Sequence, residues 1–295
     1  MDVFTDRQFG GNPLAVVLNA DGLSGEQMQS IAAEFNLSET TFVLPPDNPG
    51  NTAHVRIFVP KAELPFAGHP NIGTAYALSR AGTVYGKPVD PDELVFEEKA
   101  GLVRLQIARD GSEVSGARLT APRKFSQGES YSRAEVAAAC SLDESDIEGT
   151  RHEPCIGSCG TPFVLTEVKT LAVLEKAAPS LEAARRLFTG SAGTGILAYV
   201  RTPDGDTDIR ARMFAPLKGI PEDPATGAAN VALIGLLAKL DAATDLDLSL
   251  AIAQGIEMGR SSLILAGATK RRGEVIETTI SGSCVPMMTG TLSLD

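Results

Sequence analysis

The sequence has no tryptophan, only four cysteines and three histidines, and fewer basic than acidic residues. Among its 295 residues 26 are Lys or Arg and 37 are Asp or Glu, so the formal net charge is −11. This deficit of positive charge argues against nucleic acid or an anionic membrane as the main partner. The one basic cluster, Lys270-Arg271-Arg272, precedes Gly273 and is predicted to form a solvated hairpin turn.

Long apolar segments are missing as well. The longest, 231–238, is far shorter than the ~20 residues that a membrane-spanning helix needs. The N-terminus has neither the basic nor the apolar segment of a secretory signal. Four cysteines in a chain of this length do not make a disulfide framework. We therefore expect a cytoplasmic protein with reduced thiols and no membrane partner.

The cysteines offer little for metal chemistry. Cys155 and Cys159 could combine with His152 in a three-ligand zinc site, but no fourth ligand follows at metal spacing. The glycine-rich segments also lack the spacing of a nucleotide-binding loop. We therefore expect structural thiols, no metal and no cofactor.

What the sequence does contain is a series of short strand-like segments between Pro and Gly residues, with few helices. Capping-box spacing at Ser24 and Ser132 predicts two helices. Two more are expected to start after Pro70 and Pro224, since proline suits the first helical turn. The last of them, 227–240, is apolar on nearly every face, which predicts that it is enclosed on all sides.

An internal repeat is the most informative feature of the organisation. Glu39–Leu44 matches Gly160–Leu165, and His69–Gly73 matches Asp223–Gly227 further along. Two matches in the same order predict two duplicated halves, each a curved sheet around one central helix. The expected division is 1–120 and 121–283, with a C-terminal strand, 284–295, that joins the first half.

The duplication suggests where a ligand would bind. Pockets favour the interface between domains, where the two repeated helix starts would face each other. Unpaired N–H groups and the positive end of the helix dipole make such a start suitable for a small carboxylate. Gly68 and Gly73 on one side and Gly227 on the other would let the backbone approach it closely.

Three ionisable residues lie at these loops. Asp223 is either a helix N-cap or a ligand-facing group, and His69 is a poorer cap. The counterpart of Glu39 in the second half is Gly160, so only one half carries an acid at this position. A mechanism with a single base requires such an arrangement. Near apolar neighbours such as Phe42, burial would raise the pKa of Glu39 toward neutrality. The alternative is a solvated turn glutamate.

A set of short motifs extends from the first residues to the last. Together they resemble the PhzF-like isomerase family, which is named for phenazine biosynthesis and shares the diaminopimelate epimerase fold. The resemblance implies an α+β protein of two similar domains, each a mostly antiparallel barrel-like sheet around a central helix, with the active site between them. It also implies a homodimer without metal or cofactor. The motifs are Asp2-Val3-Phe4-Thr5, Phe9 to Val17, Asn36 to Thr40, Phe66 to Pro70, Arg212 to Pro216, Glu222 to Gly227, Gln254-Gly255, Met258 to Ser261 and Gly290 to Leu292.

The resemblance also implies roles for individual residues. Glu39 falls on the proton-transfer residue of the family, and His69 and Asp223 fall on the residues that assist it. Ala228 stands where the phenazine enzyme has a serine, so one hydroxyl contact is expected to be missing. The positions expected to bind substrate are Ser38, Gly68, Gly73, Gly227 and Ala228.

The same comparison excludes one reaction type. Epimerases and racemases of this fold use two opposed cysteines, but the corresponding loops here carry Gly68-His69 and Glu222-Asp223. The expected activity is a cofactor-independent isomerisation that moves a proton between carbons of a small carboxylate like trans-2,3-dihydro-3-hydroxyanthranilate. Two alternatives remain: a dehydratase or epimerase of a hydroxy amino acid, and a carboxylate-binding homologue without turnover.

Overall fold

Residues 1–294, which the computed structural model describes, form nineteen strands and six α-helices. The helices are α1 (Gly25–Phe35), α2 (Gly68–Ala81), α3 (Arg133–Ala139), α4 (Leu171–Lys176), α5 (Leu181–Leu187) and α6 (Gly227–Leu240). The strands are β1 (Asp2–Val3), β2 (Asn12–Val17), β3 (Glu39–Leu44), β4 (Ala53–Val59), β5 (Ala62–Leu64), β6 (Thr83–Val84), β7 (Lys87–Pro88), β8 (Glu93–Glu98), β9 (Gly101–Asp110), β10 (Glu113–Thr120), β11 (Ser126–Ser130), β12 (Cys155–Ser158), β13 (Pro162–Glu167), β14 (Ile196–Arg201), β15 (Ile209–Ala215), β16 (Ile220–Asp223), β17 (Leu246–Gln254), β18 (Ser262–Arg271) and β19 (Glu274–Val285).

Seventeen of these strands join in one curved sheet. In the first half of the chain the order β1-β2-β3-β4-β8-β9-β10-β19 closes into a ring, because β19 pairs with both β10 and β1. The second half continues as β11-β12-β13-β14-β15-β17-β18 and meets the first at β19. Most pairs are antiparallel, as expected for a barrel-like sheet.

Two of the helices pack inside this sheet. α2 contacts β1, β2, β3, β9, β10 and β19, whereas α6 contacts β11, β12, β13, β17, β18 and β19. Residues 231–238 of α6 are all buried, which confirms the prediction of an enclosed helix. Each central helix therefore has its own set of strands, and β19 is shared.

No helix within the described chain is long and apolar enough to cross a membrane.

The helices with capping boxes form as predicted. The hydroxyls of Ser24 and Ser132 accept hydrogen bonds from the backbone N–H groups of Gln27 and Glu135, and both boxes are complete. The short helices α4 and α5 were not predicted, since six and seven residues give too little periodicity to recognise.

The end of the chain differs from the expectation. β19 pairs with β1 in the register Asp2↔Val285 and Val3↔Cys284, so the last strand does join the first half. It ends at Val285, however, and residues 286–294 form no strand, while residue 295 of the predicted strand lies outside the described residues. The division into two domains at residue 121 stays a prediction, because one sheet runs through both halves.

The basic cluster forms the expected hairpin turn, but one of its residues is not solvated. Lys270 is buried, and its ammonium donates to the carbonyl oxygens of Lys239 (3.3 Å) and Asp241 (2.8 Å). Because the last carbonyls of a helix lack intrahelical donors, this lysine caps the C-terminal end of α6. Sequence patterning missed the contact, which joins residues about thirty positions apart.

Candidate active site

The two central helices start against each other. A Cβ built on Gly68 would lie 3.1 Å from the Cα of Gly227, and one built on Gly227 would lie 2.4 Å from Cδ1 of Ile280. Only glycine therefore fits at this contact without a shift of its neighbours. Neither Ala67 nor Thr226, the N-cap residues, provides a side-chain acceptor to the first turn of its helix. Two positive helix ends without caps thus lie together, which favours an anion.

This geometry corrects the alignment that the repeat suggested. α2 starts at Gly68 rather than after Pro70, which is its third residue, where a missing N–H costs nothing. The sequence match sets Gly73 opposite Gly227, but Gly73 lies in the second turn of α2. A Cβ there would be 2.4 Å from Cδ2 of Leu14. Gly73 therefore lets α2 pack on β2 and does not lie at the helix start.

Glu39 points from the first residue of β3 toward the start of α2. Thr41, on the same face of the strand, forms a 2.8 Å hydrogen bond with Thr74 of α2. Oε2 of Glu39 lies 3.2 Å from Nε2 of His69, but the two are not aligned as a hydrogen bond. The side chain is only 14% exposed, so the alternative of a solvated turn glutamate is wrong. Burial, and next the charge of Asp223, raise the pKa of Glu39 well above its usual value.

His69 is the second residue of α2 and is buried. Burial lowers its pKa to about 3, so the imidazole is neutral at physiological pH. Its contact with Glu39 is consequently not an ion pair: a neutral imidazole lies beside a carboxyl whose neutral form burial favours. The imidazole of His69 is thus a hydrogen-bonding group beside the carboxyl of Glu39, but no hydrogen bond between the two holds the proton of that carboxyl in place.

Asp223 ends β16, four residues before α6, and is buried. Its Oδ1 accepts a 2.9 Å hydrogen bond from the amide of Asn12, and its Oδ2 accepts one from the hydroxyl of Thr226. The carboxylate of Asp223 thus binds side-chain donors, and the N-cap residue of α6 is Thr226. The N-cap alternative for Asp223 is therefore wrong. Burial raises the pKa of Asp223 to about 6, although the two hydrogen bonds act in the opposite direction.

Gln254, the last residue of β17, holds the turn between Asp223 and α6. Its amide donates to the carbonyl oxygen of Asp223 (2.8 Å) and to the hydroxyl of Thr226 (3.1 Å). Its carbonyl accepts from the backbone N–H of Thr226 and from the side chain of Asn230. All four hydrogen-bonding positions of this fully buried amide are used, which ties the turn to the end of β17.

Sequence reasoning assigned no role to Asn12 or Gln254, although both lie in motifs that carry the family resemblance. A signal was available in each case, because each amide adjoins an apolar strand segment, 13–17 or 251–253, and a buried amide must find partners. The remaining predicted positions, Ser38 and Ala228, are half-buried and adjoin Glu39 and Gly227, respectively.

The zinc alternative finds no support in the contacts of its histidine. Nε2 of His152 lies 2.7 Å from the hydroxyl of Tyr199, and Nδ1 lies 2.8 Å from the carbonyl oxygen of Glu153. All four cysteines are free and buried. Burial raises the pKa of Cys159 to about 11 and that of Cys140 to about 12, which makes both thiols unreactive.

Within residues 1–294, one other group of potential metal ligands is present: Asp47, His54 and Glu97. The carboxylate of Glu97 already accepts hydrogen bonds from the backbone N–H groups of Asp47 and Asn48 and from the side chain of Asn51. These bonds order the loop before β4, which accounts for the cluster without an ion.

Comparison with known proteins identifies the family. The model of the phenazine biosynthesis-like (PhzC-PhzF) family matches residues 1–290. The chain belongs to this family. It is 39% identical to an uncharacterized isomerase of Mesorhizobium japonicum, over 99% of this chain and 96% of that protein. It is 34% identical to the trans-2,3-dihydro-3-hydroxyanthranilate isomerase of Pseudomonas chlororaphis, over 100% of this chain and 98% of that enzyme.

Solved structures agree with this assignment. A phenazine biosynthesis protein of the PhzF family from Bacillus anthracis superposes with a TM-score of 0.81 at 26% identity, covering 96% of this chain and 93% of that one. A proline racemase-like protein from Agrobacterium radiobacter has a TM-score of 0.60 at 15% identity, over 92% of this chain and 82% of the other, and so shares the fold. The chain is thus an isomerase of the PhzF family with a barrel-like α/β fold.

Proposed function

We propose that this isomerase moves a proton between two carbons of a small carboxylate of the trans-2,3-dihydro-3-hydroxyanthranilate type, with Glu39 as the acid/base. The substrate suggestion comes from the named relative in Pseudomonas chlororaphis, which matches over its whole length. The position of Glu39 carries the mechanistic part. Its Oε2 is buried without a hydrogen-bond partner in the described chain, beside a neutral imidazole and at the start of a central helix.

The raised pKa of Glu39 suits proton transfer to and from carbon. In this mechanism Glu39 starts in its neutral form, which burial favours, and donates its proton to the acceptor carbon of the substrate. The carboxylate left behind is a stronger base than an exposed glutamate, and it removes a proton from the donor carbon. One proton enters the substrate and one leaves, so the enzyme returns to its starting state without a cofactor.

The helix starts and Asp223 supply the electrostatics of this step. The N–H groups at Gly68 and Gly227, which no N-cap side chain reaches, would bind the substrate carboxylate. The negative charge of Asp223 would stabilise positive charge that develops on the ring after protonation. His69 would orient the carboxyl of Glu39 through the contact at 3.2 Å.

The site is proposed to lie in a cleft between two similar domains, 1–120 and 121–283. The separate sets of strands around α2 and α6, and the direct contact of the two helix starts, support this division. A homodimer is part of the same proposal and rests on the family resemblance alone. A small carboxylate is the only partner that the site requires.

The test is proton NMR in D₂O with trans-2,3-dihydro-3-hydroxyanthranilate, comparing the wild type with Glu39→Gln and with the exposed control Glu34→Gln. We expect rearrangement with deuterium incorporation in the wild type and the control, and a rate at least about 10³-fold lower in Glu39→Gln. Circular dichroism would confirm that each variant is folded.

Other outcomes separate the alternatives. Loss of water or inversion of configuration would indicate a dehydratase or epimerase. Carboxylate binding without exchange by the folded wild type would indicate a homologue that does not turn over this substrate. Full activity of Glu39→Gln would contradict the acid/base role.

A further inference from the structure

The two carboxyls of the site differ in the donors that reach them. Asp223 accepts one side-chain hydrogen bond on each oxygen, from Asn12 and from Thr226. Among the described residues, Oε2 of Glu39 accepts none, although His69 lies 3.2 Å away. Hydrogen bonds to a carboxylate favour its charged form, and their absence in a buried place favours the neutral form.

The orientation of the Asn12 amide is fixed by its partners. Its Nδ2 atom lies 2.9 Å from Oδ1 of Asp223 and 3.0 Å from the carbonyl oxygen of Ala225. Both of these atoms are acceptors, so the NH₂ group must face them and cannot exchange places with the amide oxygen. Asn12 is fully buried, which prevents it from turning toward water.

The loop before Asn12 is held in place from the second half of the chain. Arg260 donates to Oδ1 of Asp2 (2.8 Å) and to the carbonyl oxygens of Gly10 (2.7 Å) and Gly11 (2.9 Å). Asn12 is thus presented to Asp223 by a loop that has little freedom, over a separation of 211 residues.

The charged groups near Asp223 do not replace these neutral donors. Glu222, its neighbour in sequence, raises the pKa of Asp223 and is itself paired with Arg212 through two 2.8 Å hydrogen bonds. Glu257 lies 4.0 Å from Arg212 and 2.9 Å from Arg210. Within the described chain, no cationic side chain forms a salt bridge with Asp223.

We propose that Asn12 and Thr226 are positioning residues that keep the negative charge on Asp223 and thereby leave the proton of the carboxyl pair on Glu39. Neither side chain needs to contact the reacting carbons. The inference rests on the proposed function, because it assigns the starting charge of the acid/base that this function requires. Two carboxyls in one site thus take two roles, which their surroundings determine.

The expected effect is a shift in titration. A hydrogen bond to a charged group changes a pKa by about one to two units, so removing one donor raises the pH at which Asp223 ionises by about that amount. Asn12→Leu removes the amide with little change of size, and Thr226→Val removes the hydroxyl. Thr226→Ser keeps a hydroxyl and should leave the titration of Asp223 nearly unchanged.

The experiment is infrared difference spectroscopy of the carboxyl C=O band during a pH titration of the full-length protein without substrate. At pH 7 we expect a protonated-carboxyl band that Glu39→Gln removes and Asp223→Asn retains. Glu98, another buried carboxyl whose pKa is raised to about 8, gives a second band that Glu98→Gln identifies. In Asn12→Leu and in Thr226→Val the midpoint assigned to Asp223 should move upward by at least about one unit.

Two results would overturn the proposal. One is a wild-type band that disappears in Asp223→Asn and persists in Glu39→Gln. The other is an unchanged Asp223 midpoint in folded Asn12→Leu, or in folded Thr226→Val where the first variant does not fold. Because this readout needs no substrate, a failed turnover assay would contradict the proposed function and leave the proton assignment standing.

Discussion

The starts of α2 and α6 are alike in backbone and unlike in side chains. Each begins with a glycine that contacts the other, and each lacks a side-chain cap. At the start of α2, however, Glu39 and His69 are buried with few partners. At the start of α6, Asp223 is held by Asn12, Thr226 and the hydrogen bonds of the turn.

In the proposed mechanism, this difference lets two similar helix starts support a reaction that is not symmetric. In that proposal the two backbones together provide one anion site, whereas the side chains provide one proton and one charge. A pair of identical carboxyls would share a single proton without assigning it to either. Unequal hydrogen bonding removes that ambiguity, so proton transfer can begin from a defined group.

The charge at the start of α6 offers the most sensitive test of the comparison. We expect Asp223→Asn to lower kcat/KM by about 10²–10³-fold, because the site loses the charge that we propose stabilises the protonated substrate. In the wild type, kcat/KM should fall as the pH drops through about 6, where Asp223 takes up a proton. That acidic limb should be absent in the variant and present in the exposed control Asp204→Asn. A pH profile of Asp223→Asn that matches the wild type would contradict the account.

A buried carboxyl beside the start of α2, that of Glu98, allows a test through the free energy of unfolding. Glu98 lies beside Asn71, whose amide donates to the carbonyl oxygen of the N-cap residue Ala67 (2.9 Å). Burial raises the pKa of Glu98 to about 8, so the folded protein loses stability as the pH rises from about 4.5 through about 8. Glu98→Gln should remove this loss and be more stable than the wild type by about 3 kcal/mol at pH 9.

Urea unfolding at pH 5 and pH 9 measures the effect of Glu98→Gln, with Glu34→Gln as the exposed control. The advantage of Glu98→Gln should be small at pH 5, where the folded wild type already carries the proton. An equal advantage at both values would mean that the carboxyl is not the cause.

The contact between the helix starts tests the shared backbone. Gly227→Ala places a Cβ 2.4 Å from Cδ1 of Ile280 and 3.3 Å from Cα of Gly68, so the isoleucine side chain must shift and the start of α2 must give slightly. We expect a loss of about 2 kcal/mol in the free energy of unfolding and a higher KM for the carboxylate substrate. Gly290→Ala, where nothing lies within 4 Å of the added Cβ, is the matched control. Unchanged KM and stability in Gly227→Ala would show that the contact has no role.

The capped helix α1 contrasts with the uncapped starts of α2 and α6, and a change there is expected to have the smallest effect. Ser24→Ala removes the cap of α1, which packs on β3 and β4. The free energy of unfolding should fall by about 1 kcal/mol with kcat unchanged, as for an ordinary structural cap. A tenfold lower kcat in this variant would indicate that α1 participates in the site.

Local signals in the sequence predicted much of the fold. Capping boxes at Ser24 and Ser132 and the apolar pattern of 227–240 depend on neighbouring residues, and each predicted its helix correctly. The start of α2 was predicted too late in the chain, because proline is tolerated at any position of the first helical turn. Pro70 therefore does not mark the first residue of the helix.

Contacts between distant residues were beyond local patterns. The side chain of Asn12 reaches Asp223 over 211 residues, and Lys270 reaches the end of α6. Glu39 could be recognised as a candidate from its one-sided position in the repeat. Its burial and the nearby charge of Asp223, which together raise its pKa, depend on the packed site.

The most direct test of the account uses substrate that carries deuterium on the carbon that loses hydrogen. A single turnover in H₂O with enzyme in excess, followed by mass spectrometry and NMR of the product, reports which hydrogen reaches the acceptor carbon. If Glu39 starts with its own proton, the acceptor carbon receives protium. Deuterium on the acceptor carbon would mean that Glu39 starts as a carboxylate and carries the substrate's own hydrogen across, which would contradict the assignment of proton and charge.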